Sequence, residues 1–125
     1  MNPTSHPDAP ALDRLSSLLE RFRVRAHLFH NGPLCGVTHF AAKPGRGFLH
    51  VLKSGEMVVT HRRVKCLPRR VQVQEPTLLF YPQPLVHDFH NAPVEGSDLV
   101  CATLDFEGGP QHPLVRALPA LVVLP

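Results

Sequence analysis

Nine histidines and three cysteines are the residues of this 125-residue chain best able to do chemistry. One histidine stands out by its setting. The apolar run Thr77-Leu78-Leu79-Phe80-Tyr81 stops at Pro82 and Pro84, then His87 follows, and Asn91 four residues later. A strand that ends in a rigid turn and restarts with a histidine aims one imidazole from a fixed scaffold. His50 shares a strand face with Phe48 and Leu52, and Cys101 shares one with Leu99 and Thr103. A set of His50, His87 and Cys101, joined by His112, has the nitrogen and sulfur donor mix that suits Zn²⁺. The competing reading is that the two imidazoles hydrogen-bond each other or buried backbone. Cys101 is then one more buried thiol behaving as a small hydrophobe. The remaining strand and turn histidines, His27, His30, His39, His61 and His90, read as surface positions.

Other chemistries have less behind them. Cys101 or Cys35 beside a histidine is a conceivable nucleophile, but neither sits in a recognisable local motif. Glu56, Glu75, Asp88, Asp98, Asp105 and Glu107 fall mostly at turns, so paired carboxylates for acid–base work are not expected. Gly45-Arg46-Gly47 joins strands rather than opening a helix, which argues against a phosphate cradle. Trp is absent and Tyr81 is the only tyrosine, so a stacking platform for single-stranded nucleic acid is not expected. The net charge of +3 sits largely in two clusters, Arg21/Arg23/Arg25 and His61 to Arg70. The second reads as a solvated turn and edge strand, where cations discourage edge-to-edge pairing.

The elements that must position these residues are short. Fourteen prolines and eight glycines favour many strands and turns over long helices. Residues 1–11 read as a flexible polar tail and 12–125 as one domain. Asp13 is placed to cap a helix whose Leu12, Leu15, Leu18, Leu19 and Phe22 recur on one face. From Val24 the period changes to two, with Asn31-Gly32-Pro33 read as a turn. Strands are expected over 35–42, 48–53, 56–60, 70–74, 77–81, 86–90 and 99–106, the second and third forming a hairpin through Ser54-Gly55. A helical segment over 112–118 and an apolar tail, Leu121 to Leu124, follow. Eight or so short strands at regular spacing predict an all-β closed barrel or jelly roll.

Several stretches carry a resemblance. Pro82-x-Pro84-x-x-His87-x-x-x-Asn91 is similar to the second sequence motif of the cupins, with Pro84 where that motif has glycine. Leu49-His50-Val51-Leu52-Lys53-Ser54-Gly55 resembles the end of their first motif. The segments Leu99 to Phe106, Gly108-Gly109 and His112 to Pro119 resemble the end of the cupin sensor domain in AraC-type transcription regulators, and the Leu15-x-x-Leu18-Leu19 helix fits that group. The resemblance implies a cupin-type β-barrel with a short N-terminal helix and a short C-terminal helical segment. It also implies that His87 points into the barrel. Counting back from Gly55, the positions where metal-binding cupins carry two histidines and a glutamate hold Ala42, Pro44 and Phe48, so the usual ligands are missing. His50 lies two residues beyond the lost glutamate position, on the same face.

The function expected is therefore a non-catalytic small-molecule-sensing or dimerisation domain of an AraC-like regulator. The alternative is a small zinc-dependent cupin enzyme with a site rebuilt on His50, His87, Cys101 and His112. The ligand-binding residues expected are His50, His87, Phe48, Phe80 and Phe89, at the mouth of the barrel, with Phe40, Leu52, Met57 and Phe106 as further apolar lining. The cofactor is none or a divalent metal such as zinc. The partners expected are a small-molecule effector and a second copy of the chain. DNA would be reached only through a helix-turn-helix region that this chain does not contain. Three widely spaced cysteines without a CxxC pair, no signal peptide and no apolar run near the roughly 18 residues of a membrane span point to the cytoplasm.

Overall fold

The computed structural model describes residues 14, 17–64 and 67–125. Among these residues are nine strands: β1 Val24–Leu34, β2 Val37–Phe40, β3 Arg46–Ser54, β4 Met57–His61, β5 Arg70–Val73, β6 Thr77–Tyr81, β7 His87–His90, β8 Ser97–Phe106 and β9 Val122–Leu124. A 3₁₀ turn, Gly109–Gln111, and a helix, Pro113–Ala117, separate β8 from β9. The strands form two antiparallel sheets, one in the order β1-β8-β3-β6-β9 and one in the order β2-β7-β4-β5. This is the expected all-β jelly-roll architecture.

Period-two alternation decides which side chains meet between the sheets. Phe48, His50 and Leu52 of β3 are buried while Leu49, Val51 and Lys53 are only partly so. The same parity buries Met57, Val59 and His61 on β4, and Thr77, Leu79 and Tyr81 on β6. Both sheets contribute to one core of Phe40, Leu52, Val59, Leu79, Phe89, Leu99 and their neighbours. Each such side chain removed from water contributes about 1.5–3 kcal/mol.

A second apolar cluster covers the outer face of the larger sheet. Val24, Leu104 and Phe106 are its buried members, packed by Leu49 and Phe80 from the sheet and by Leu114 and Val115 from the C-terminal helix. Of the N-terminal helical stripe, Leu19 joins this cluster, whereas Leu18 and Phe22 are exposed. Leu12, Asp13, Leu15 and residues 1–11 lie outside the described residues.

Two expectations need correction. Ser54-Gly55 does not close a hairpin, because β3 belongs to the larger sheet and β4 to the smaller. The chain crosses between sheets there. Gly55 takes a φ of 94°, and a Cβ on it would come within 2.9 Å of Ser97 Oγ. That hydroxyl donates to Glu56 O at 2.9 Å and ties the corner to β8. Asn31-Gly32-Pro33 is not a turn either, since β1 continues through it to pair Leu34 with Ser97. β1 is an edge strand, so the missing Pro33 N–H costs no ladder bond. The apolar tail packs on the larger sheet as a ninth strand, Phe80 pairing with Val122 and Leu78 with Leu124.

Candidate functional site

The inward faces of β3 and β7 bring His50 and His87 together. Their Nε2 atoms lie 2.8 Å apart, and both side chains are fully buried. Phe40 stacks on His87 at 4.9 Å and Tyr81 stacks on it at 4.1 Å. Phe48 lies parallel to His50 at 5.7 Å, and Phe89 meets His50 edge-on at 4.6 Å. The two imidazoles are thus lodged in an aromatic box.

Proton positions follow from the partners. His87 Nδ1 lies 2.9 Å from Leu85 O, which can only accept, so Nδ1 carries the hydrogen. His87 Nε2 is then a bare lone pair and accepts from His50 Nε2–H. That leaves His50 Nδ1 as a buried acceptor without a partner. Both rings are neutral. Burial pushes the His87 pKa down to about 4, only partly opposed by the Leu85 bond. Burial, and then the charge of His87, hold His50 well below the ordinary histidine range.

Cys101 is the cross-strand neighbour of His50 and shares its inward face. It is fully buried, and desolvation pushes its thiol up to about 12. It packs as an apolar group within the core.

Three expected site residues lie elsewhere. Phe80 belongs to the opposite face of β6 from Leu79 and Tyr81 and stacks against Phe106, so it does not line the histidine cluster. Phe106 likewise belongs to the outer cluster. His112 caps the C-terminal helix. Its Nδ1 accepts from Leu114 N at 3.1 Å, its Nε2–H donates to Phe22 O, and its ring meets Phe106 edge-on. Both of its nitrogens are committed at the outer cluster, away from His50 and His87.

One inward histidine was read as a surface residue. His61 is buried, donates from Nδ1 to Pro68 O at 2.6 Å and accepts at Nε2 from the Tyr81 hydroxyl, also at 2.6 Å. Burial lowers its pKa, against the raising effect of the Pro68 bond. Tyr81, pressed on His87 and bonded to His61, links the three imidazoles, and burial raises its phenol above the usual value. Two further histidines pair across strands: exposed His39, Nδ1 with Asp88 at 2.5 Å, and half-buried His90, Nε2 with Thr60 at 2.8 Å.

A metal centre needs three or more donors converging on one point. His50 and His87 approach closely enough to share an ion, but among the described residues no group of three His, Cys, Asp or Glu side chains could hold one. Phe48 occupies the position of the expected glutamate and is stacked on His50. Ala42 and Pro44 supply no donor at the other two positions. The residues present do not fit the metal site that the sequence motif implies.

A jelly roll whose third and seventh strands aim histidines between two sheets is the arrangement the second-motif resemblance requires. A family model described as Cupin matches residues 13–125, and the chain belongs to the cupin family. No curated protein gives a significant match. Among the described residues no helix is long and apolar enough to cross a membrane.

Proposed function

We propose that this chain is a non-catalytic cupin domain that senses a small molecule or pairs two subunits, of the kind found in AraC-type regulators. The filled, neutral interior carries the reading. Where the family's first motif would place metal ligands, the chain puts Phe48, and the remaining imidazoles are tied to each other and to backbone rather than presented to solvent. Both rings are sealed from solvent, so neither is presented to a substrate at the surface.

The regulatory half of the reading draws on the C-terminal likeness. The segment that resembles the regulators' sensor domains folds as β8, the 3₁₀ turn and the helix Pro113–Ala117, and it wraps the outer face of the larger sheet. A five-residue helix is too short to read a major groove, so DNA would be contacted through a separate helix-turn-helix region. A second copy of the chain has apolar surface available at both edges of the larger sheet, Leu28 on β1 and Leu124 on β9.

Sedimentation analysis combined with a thermal-shift screen of small metabolites tests the proposal. A dimer, or a compound that raises the melting temperature in a saturable way, supports it. A monomer that no compound stabilises overturns it.

A further inference from the structure

Besides a smaller cleft along Arg14, Ser17, Leu18 and Arg21, two clefts lined by described residues lie away from the His50–His87 pair. The larger, about 630 Å³, is lined by Arg21, Arg23 and Arg25 together with Glu20, Asp105 and Glu107. It mixes both signs of charge, and Arg23 is already paired with Glu107 at 3.2 Å. The other, about 400 Å³, differs in kind. Its walls are Pro82 and Pro84 from the β6–β7 loop, Phe106 from the end of β8, and Pro110 and Val115 from the C-terminal segment. Among the described residues Arg116 is the only ionisable group that lines it.

The cleft is built to stay open. Three of its walls are prolines, whose φ is locked, so little order must be imposed when a ligand enters. The Phe106 ring is held in place because Gly47 has no side chain: a Cβ there would collide with Tyr81 O and come within 2.9 Å of the ring. His112, pressed edge-on against Phe106, fixes the helix that carries Val115 and Arg116. The volume falls within the roughly 300–1,000 Å³ of small-molecule sites.

Arg116 supplies the selectivity. It makes no ion pair with any described residue. A guanidinium matches a carboxylate with two parallel N–H donors. The geometry points to a binding site for a small carboxylate with an apolar body, seated between the Pro82–Pro84 loop and the C-terminal helix rather than inside the barrel. This deepens the sensing reading and rests on it for its consequence. A ligand here touches Val115 and Arg116, so occupancy is passed to the segment that wraps the larger sheet.

Amide NMR spectra of the labelled protein, titrated with benzoate, hexanoate and neutral benzamide, test the site. At least one carboxylate moves the signals of Gly45, Gln83, Gly109 and Arg116 in a saturable way, and benzamide binds about tenfold or more weakly. Arg116→Gln weakens carboxylate binding by a similar factor with the rest of its spectrum unchanged. Val115→Trp, which fills the cleft, abolishes the response. No saturable shift with either carboxylate overturns the proposal, as does equal binding by Arg116→Gln. Shifts centred on His50 and His87 overturn this site but leave the sensing reading standing. Binding in the cleft that leaves the sedimentation behaviour unchanged upholds the site and removes its link to the pairing of subunits.

Discussion

Acid should unfold this protein through its interior imidazoles. An unfolded histidine takes its proton at about 6.5, whereas burial delays His87 in the folded chain to about 4. Between those values the unfolded chain holds more protons, so the stability is complete above pH 6.5 and is lost as pH falls. At about 1.4 kcal/mol per unit, His87 alone removes about 3 kcal/mol by pH 4. His50 is displaced the same way by burial and by His87, and His61 by burial, so both steepen the decline. Against a typical total of about 5–15 kcal/mol, that loss is large. Urea unfolding followed by circular dichroism between pH 7.5 and 4.5 measures it. Replacing both partners together, His50→Leu with His87→Leu, leaves no nitrogen orphaned, so the double variant should lose most of the slope and match the wild type at pH 5. His87→Leu alone should be the worse protein, because it strands the His50 Nε2 hydrogen in an apolar box. A wild type whose stability is flat from pH 6.5 to 4.5, or a double variant with an unchanged slope, would refute this reasoning.

Three further outcomes follow from single contacts. Gly47→Ala drives a methyl into the Tyr81 carbonyl and the Phe106 ring, and should cost about 2 kcal/mol or more in denaturant unfolding; a neutral variant would show that the loop gives way. His112→Ala removes the cap of the C-terminal helix and the tie to Phe22 O, costing about 1–2 kcal/mol and speeding amide exchange over residues 113–118. Unchanged exchange there would count against the capping role. Chelation should leave the melting temperature where it was, and purified protein should carry only substoichiometric zinc; a drop that zinc restores would reinstate a metal on His50 and His87.

Local alternation made much of the interior legible. Phe48, His50 and Leu52 share a parity in the sequence, and the structure buries all three. Alternation also held the signal for His61, which has the parity of Met57 and Val59, but Arg62 and Arg63 made the stretch look like a charged turn. In Thr77 to Tyr81 every second residue is apolar on both faces, so nothing local distinguishes inward Tyr81 from outward Phe80. Pairing across the fold was hidden for another reason. A Ser-Gly turn serves a hairpin and a sheet crossing equally well, and only the distant Ser97 decides between them. His112 had no neighbour in sequence to reveal that Phe22, ninety residues earlier, was its partner.

The central place of β8 has a consequence for how the protein reaches its fold. β8 lies between β1 and β3, pairing Val24 with Phe106 and His50 with Cys101. On the ribosome, β1 therefore waits until residues 97–106 have emerged before it has a partner. Loops of that span must close before any contact rewards them, which places folding in the slow, millisecond-to-second range of sheet proteins with distant pairings. Through that interval Leu28 and Phe29 stand on an unpaired strand, and nascent chains crowded on one message are the species most at risk of pairing wrongly.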